Sequence, residues 1–198
     1  METGDTFTVS TFWRLALPLI KSALLPCLLP IFGAHADVID AASDKALSLL
    51  NQIDYSPSLT ASGQPTEEAL GLAARSGYSR VIFLAFSNHQ NALEHEDVMV
   101  KALDMEFIHI PVEWEAPSLA DFGAFASAMQ APTQQRTLLH CDVNFRASVF
   151  GFLYQVIYEG VPMDEAISLM HAIWIPNEVW EDFIVRVLAV NGLDYRGM

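Results

Sequence analysis

Arg136-Thr137-Leu138-Leu139-His140-Cys141-Asp142-Val143-Asn144-Phe145-Arg146-Ala147-Ser148 is the stretch on which the reading of this chain turns. Its first five residues lean apolar and predict a short buried strand ending at His140. Ala147 through Tyr158, followed by Glu159 and Gly160, predicts a helix closed by a C-terminal glycine. Between strand and helix lies the tight loop Cys141–Arg146. Unpaired amides at a helix start, with the positive end of its dipole, favour an anion at that place. The same field favours thiolate over thiol at Cys141. Arg146 can hold a phosphate or sulfate through two parallel hydrogen bonds. Cys141 is therefore the candidate nucleophile and Arg146 the candidate anion clamp. A cysteine at a strand end is more often a small buried hydrophobe. The neighbouring His140, Arg146 and helix start favour a use for this one.

Outward from the loop, strands alternate with helices. Thr66 is a candidate N-cap, with Glu67 and Glu68 complementing the dipole of a helix to about Arg75 that Gly77 terminates. Arg80–Phe86 is β-branched and aromatic and predicts a central strand. Leu93–Leu103 predicts a helix and Glu106–Ile110 a strand. Ser118 with Asp121 resembles a capping box opening a helix to about Met129. Two helices close the chain, Met163–Ile173 and one from Pro176 to about Val190. Upstream, Asp37–Ile53 carries a helical apolar stripe, and Tyr55–Pro65 predicts two turns around one short edge strand. The expected fold is α/β, three-layered, with a mainly parallel central sheet and helices on both faces. The strand exits at Phe86, Pro111 and Cys141 should meet at one end of that sheet, where such folds place ligands.

The first 36 residues predict an export signal. Arg14 and Lys21 precede the apolar run Ser22–Gly33, and Ala34-His35-Ala36 is a small-x-small cleavage pattern. Lys21 and two prolines disfavour a membrane-spanning helix there, so no stable span is expected after cleavage. About 160 residues then remain as residues 37–198, one domain. The segment carries Glu2, Asp5, Arg14 and Lys21, so its removal leaves the net charge at −14. That charge makes nucleic acid and anionic lipid poor partners. Anion affinity must come from one local site. Cys141 becomes the one remaining cysteine, which rules out an internal disulfide in a periplasmic or secreted protein. His89, Glu94, His95, Glu96 and Asp97 are metal-ligand types without an ordered spacing. No metal or other cofactor is expected.

The strand–Cys-loop–Arg–helix arrangement resembles the cysteine-dependent protein phosphatases of tyrosine and dual-specificity type. Ser62-Gly63-Gln64-Pro65, Ile110-Pro111-Val112, His140 through Ser148, and Trp174 through Trp180 are similar to bacterial phosphatase-like proteins, over roughly Leu59–Leu188. The resemblance implies a phosphomonoester or phosphoprotein substrate and a thiophosphate intermediate on Cys141. Arg146 would bind the phosphoryl oxygens, with the amides of Asp142, Val143, Asn144 and Phe145 completing the cradle. His140 would orient the loop and tune the thiol, and Ser148 would hydrogen-bond the departing sulfur.

The chain departs from the pattern in three ways. Four residues separate Cys141 from Arg146, where the phosphatases have five. That spacing is more like the rhodanese-type sulfurtransferases, which carry a persulfide on cysteine. Yet Asn144 stands where glycine is usual, and Asn tolerates the left-handed conformation. Asp142 places a carboxylate beside the nucleophile, which suits an anionic substrate only if it points outward. Trp114 stands where the general-acid Asp is expected, leaving Glu113 or Glu115, partly buried beside the indole, as candidate proton donors. Three readings stay open: a phosphatase, a sulfurtransferase, or a non-catalytic anion-binding or interaction domain. Trp174, Trp180 and Phe183 read mainly as core.

Overall fold

The computed structural model describes residues 46–131 and 136–195. The expected export signal lies outside the described residues. Five strands form one sheet in the order β1-β2-β5-β3-β4. They are β1 (Ile53–Ser56), β2 (Leu59–Ser62), β3 (Tyr78–Phe83), β4 (Glu106–His109) and β5 (Arg136–His140). Only the β1–β2 hairpin is antiparallel; β2, β3, β4 and β5 run parallel. The helices are α1 (Glu67–Arg75), α2 (Glu96–Ala102), α3 (Leu119–Gln130), α4 (Phe145–Tyr154), α5 (Met163–His171) and α6 (Glu178–Val190).

Alternation along the inner strands divides the apolar residues between two faces. Val81 and Leu138 pack with Leu70 and Ala73 of α1 and Val100 of α2. Ile82 and Leu139 point the other way, into a larger core with Phe125, Phe150, Phe183 and Val187 from α3, α4 and α6. Helices therefore cover both faces, as the three-layer expectation required.

The local signals at helix starts behave as their chemistry dictates. Thr66 accepts from the Ala69 amide. Ser118 and Asp121 form a reciprocal capping box. At α6 the cap is Asn177, which accepts from the Trp180 amide, and Pro176 stands one place outside it. Gly160, at φ 68°, closes a π-helical turn (Gln155–Glu159) that extends α4. No helix among the described residues is long and apolar enough to cross a membrane.

Three expectations fail at element edges. The helix expected over Asp37–Ile53 is not formed in its described part, since residues 46–49 are irregular and Ile53 opens β1. Asn51 stands at φ 50°, which ends any helical path, and Ile53 and Tyr55 then bury alternate positions. The single edge strand expected near Leu59 is an inner strand, β2, with β1 outside it. The helix expected from Leu93 starts at Glu96, because His95 sits in the left-handed region ahead of it.

Tyr55 links β1 to the loop helix. Its hydroxyl donates to the Ser148 carbonyl at 2.7 Å, and burial pushes its pKa far above the usual phenol value of 10.0. The folded chain thus keeps this proton at a pH where the unfolded chain has lost it. The associated stability is fully present below about pH 10 and declines above it. Urea unfolding midpoints measured from neutral to strongly alkaline pH should fall in that range, and Tyr55→Phe should flatten the slope.

Candidate active site

β5 lies in the middle of the sheet, so its C-terminal exit is supported from both sides. The Cys141 amide donates to the Ser62 carbonyl of β2 at 3.2 Å, and Leu84 N donates to the His140 carbonyl at 2.8 Å. The loop is then tied to the residues flanking the hairpin. Gln64 N donates to Asp142 O at 2.8 Å, and Asn51 Nδ2 to Val143 O at 3.0 Å. Gly63 fits because a Cβ there would stand 2.9 Å from the Asp142 carbonyl.

Asn144 has φ 73°, a left-handed turn that asparagine accepts at small cost. It precedes α4 without a side-chain cap, its Nδ2 donating instead to the Asn51 carbonyl. Ser148 N to Asn144 O is the first bond of the helix, so the amides of Phe145, Arg146 and Ala147 stand ahead of the ladder. Such amides are the donors that an anion at a helix start uses. Asn144→Ala would place an ordinary residue in the left-handed region and delete the tie to Asn51. It should cost about 1–2 kcal/mol in urea unfolding, and Asn144→Gly less.

Arg146 extends over the β4 exit. Its Nε donates to the Val112 carbonyl at 3.0 Å, and its guanidinium lies 5.2 Å from the Trp114 ring centre. Among the described residues its two terminal nitrogens have no hydrogen-bond partner. Arg146 lines a cavity of about 580 Å³ with Phe86, Asn88, His89, Gln90 and Glu113. The strand exits after β3, β4 and β5 do meet there. Glu113 is at this cavity and Glu115 is not among its lining residues; both are exposed, contrary to the partial burial expected beside Trp114.

Asp142 points outward, into the loop after β3. It accepts from Asn91 Nδ2 at 2.9 Å and lies 3.2 Å from His89 Nε2. His89 Nδ1 accepts from the Asn91 amide, which leaves Nε2 as the protonated nitrogen facing Asp142. The carboxylate is thus engaged by a latch across the cavity wall.

One expected contact is replaced by others. Ser148 donates to the Phe145 carbonyl at 2.9 Å and accepts from Trp174 Nε1 at 3.1 Å, so its hydroxyl serves the loop and not the sulfur. Cys141 is wholly buried, at 0% exposure, and packs in the larger core beneath the loop.

His140 is also fully buried. Its Nε2 lies 3.1 Å from Glu96 Oε1, Gln64 Nε2 donates to Glu96 Oε2 at 3.0 Å, and Phe83 stacks on the imidazole at 4.7 Å. Glu96 read from the sequence only as a possible metal-ligand type. Its apolar neighbours Val98 and Val100 gave no sign that the carboxylate itself turned inward. No group of three or more metal-ligating side chains gathers among the described residues.

The tryptophans hold the two loops together. Trp174 stacks on Phe145 at 4.6 Å, and Trp114 lies 5.5 Å from Trp174 and 5.3 Å from Trp180. Trp180 Nε1 donates to the Trp114 carbonyl at 3.1 Å, and Arg186 Nη2 to the Pro117 carbonyl at 3.3 Å.

A parallel sheet, a cysteine at its middle exit, a left-handed loop residue and an arginine at the next helix start define a cysteine-dependent phosphatase of the tyrosine and dual-specificity type. Comparison with known proteins gives the family. The profile of the family described as DSP-PTPase phosphatase fused to NAD+ Kinase matches residues 35–165, and the chain belongs to that family.

Among solved structures, a DUF442 protein from Shewanella putrefaciens CN-32, named as a candidate phosphatase, is 28% identical with TM-score 0.67. The match covers 73% of this chain and 95% of that one. TpbA of P. aeruginosa is 17% identical with TM-score 0.56, over 68% and 83% of the two chains. The core catalytic domain of the PP-IP phosphatase SIW14 from S. cerevisiae is 12% identical with TM-score 0.58, over 76% and 100%. These last two share the fold. No protein of curated function matches the sequence significantly.

Proposed function

We propose that this chain is an exported phosphatase that hydrolyses phosphomonoesters through a cysteinyl-phosphate on Cys141. The observation that carries the reading is the loop itself. Phe145, Arg146 and Ala147 amides precede the α4 ladder, and the free edge of the Arg146 guanidinium stands at the cavity where three strand exits meet. The Cys141 thiolate attacks phosphorus, the S–P bond forms and the P–O bond to the leaving group breaks. Glu113, at the cavity, gives its proton to the leaving oxygen. Water then attacks the thiophosphate, the S–P bond breaks, and inorganic phosphate leaves with the thiolate restored. Arg146 and the loop amides stabilise the phosphoryl oxygens in both steps.

Export rests on the basic, apolar and small-x-small pattern of residues 1–36.

The test is phosphate release from alkyl and aryl phosphates under reducing conditions. Glu113→Gln should slow alkyl phosphate hydrolysis by about 10²-fold or more, the scale of general acid catalysis. Glu115→Gln should leave it near wild type. Absence of phosphate release from every ester, with no vanadate binding, would sink the reading.

A further inference from the structure

Six cationic side chains lie among the described residues, and five of them are away from the cavity at Arg146. Arg80 is committed to Glu106 and the Ala128 carbonyl, and Arg136 to the Ser76 carbonyl and Tyr78 hydroxyl. Lys101 and Arg186 pair with Asp97 and Asp182 on their own helices. Arg75 lies in the last turn of α1. The cavity wall opposite Arg146 supplies Asn88, Gln90 and His89, one carboxylate, Glu113, and one aromatic, Phe86. His89 is held in place by Asp142 and the Asn91 amide. Beside the site Phe145 stacks on Trp174, and Trp114 packs tilted against both, so these rings are engaged mainly with one another.

We infer that the substrate of this site carries a single phosphoryl group on a small, uncharged, hydroxyl-rich leaving group, of the sugar- or polyol-monophosphate type. The inference rests on the proposed phosphatase reading and narrows it. One guanidinium, together with the amides at the α4 start, holds one phosphoryl group. A second phosphate on the same molecule would face Glu113 and a chain of net charge −14, with no Lys or Arg besides Arg146 lining the cavity among the described residues. The side-chain amides of Asn88 and Gln90 provide donors and acceptors of the kind that hydroxyls use. A cavity near 580 Å³ lies within the range of small-ligand sites.

The experiment uses the purified full chain and three probes: a hexose monophosphate, the bisphosphate of the same hexose, and phenyl phosphate. Wild type should favour the monophosphate over the bisphosphate by about tenfold or more in kcat/KM, the scale of a like-charge clash in a binding site. Gln90→Lys should narrow that gap by improving the bisphosphate. Asn88→Ala and Gln90→Ala should raise KM for the hexose monophosphate more than for phenyl phosphate. Equal kcat/KM for mono- and bisphosphate, or a preference for phenyl phosphate unaffected by the alanine variants, would overturn the inference and leave the phosphatase standing. Failure to release phosphate from any of the three, with no phosphoryl adduct on Cys141, would overturn both.

Discussion

Cys141→Ser should lower kcat by several orders of magnitude, on the order of 10⁴ or more, as loss of a covalent nucleophile does. The hydroxyl has the size of the thiol but not its acidity or nucleophilicity. Cys141 packs without exposure in the apolar core, so the serine hydroxyl should cost about 1–3 kcal/mol of stability, and urea unfolding distinguishes lost chemistry from lost structure. Vanadate or inorganic phosphate should still bind, because the loop amides and Arg146 are untouched. Arg146→Lys keeps the charge and loses the planar fork, and with it the Nε bond to Val112 O. It should cost about 10²–10³-fold in kcat/KM, the scale of removing a donor to developing charge. Steady-state kinetics with alkyl phosphates measures both.

The largest effect on stability should come from Trp180→Ala. Trp180 is fully buried, packs edge-on to Phe183, and donates to the Trp114 carbonyl. Removing a buried indole should cost about 3–5 kcal/mol, and it leaves the Trp114 carbonyl without that donor. The β4-exit loop, which carries Val112 and Glu113, loses an anchor at the same time. Activity at temperatures where the variant is still folded should fall as well, since Arg146 reaches its position by bonding to that loop. Urea unfolding and kcat on one preparation separate the two consequences. Trp180→Phe, which keeps most of the apolar surface but not the N–H, should recover most of the stability and less of the activity.

Much of the fold was legible because its signals are local. The β-branched run around Val81 and Ile82 can bury both faces only as an inner strand. Thr66 and Ser118 announce helices through hydrogen bonds that reach three residues. The β1 strand was hidden because four residues, two of them buried, leave too short an alternation to outweigh the apolar stripe preceding it.

The site divides the same way. Cys141, Arg146 and the left-handed Asn144 follow from the loop's own chemistry. Glu96 against His140, Asn51 against Asn144, and Asn91 against Asp142 join residues far apart in the chain, and no spacing encodes such pairs. Glu113 and Glu115 lie two places apart on one loop, and only the path of that loop decides which of them lines the cavity. The burial of Cys141 is the commoner fate of a strand-end cysteine, and the sequence did not show that the candidate nucleophile shares it.

The most direct test of the account is mass spectrometry of enzyme quenched in acid during turnover of a phosphomonoester, with peptide mapping under acidic conditions. The account predicts one phosphoryl group on the peptide containing Cys141, absent in Cys141→Ser and gained and lost within a catalytic cycle. Steady phosphate release without that adduct, or undiminished release by Cys141→Ser, would contradict it.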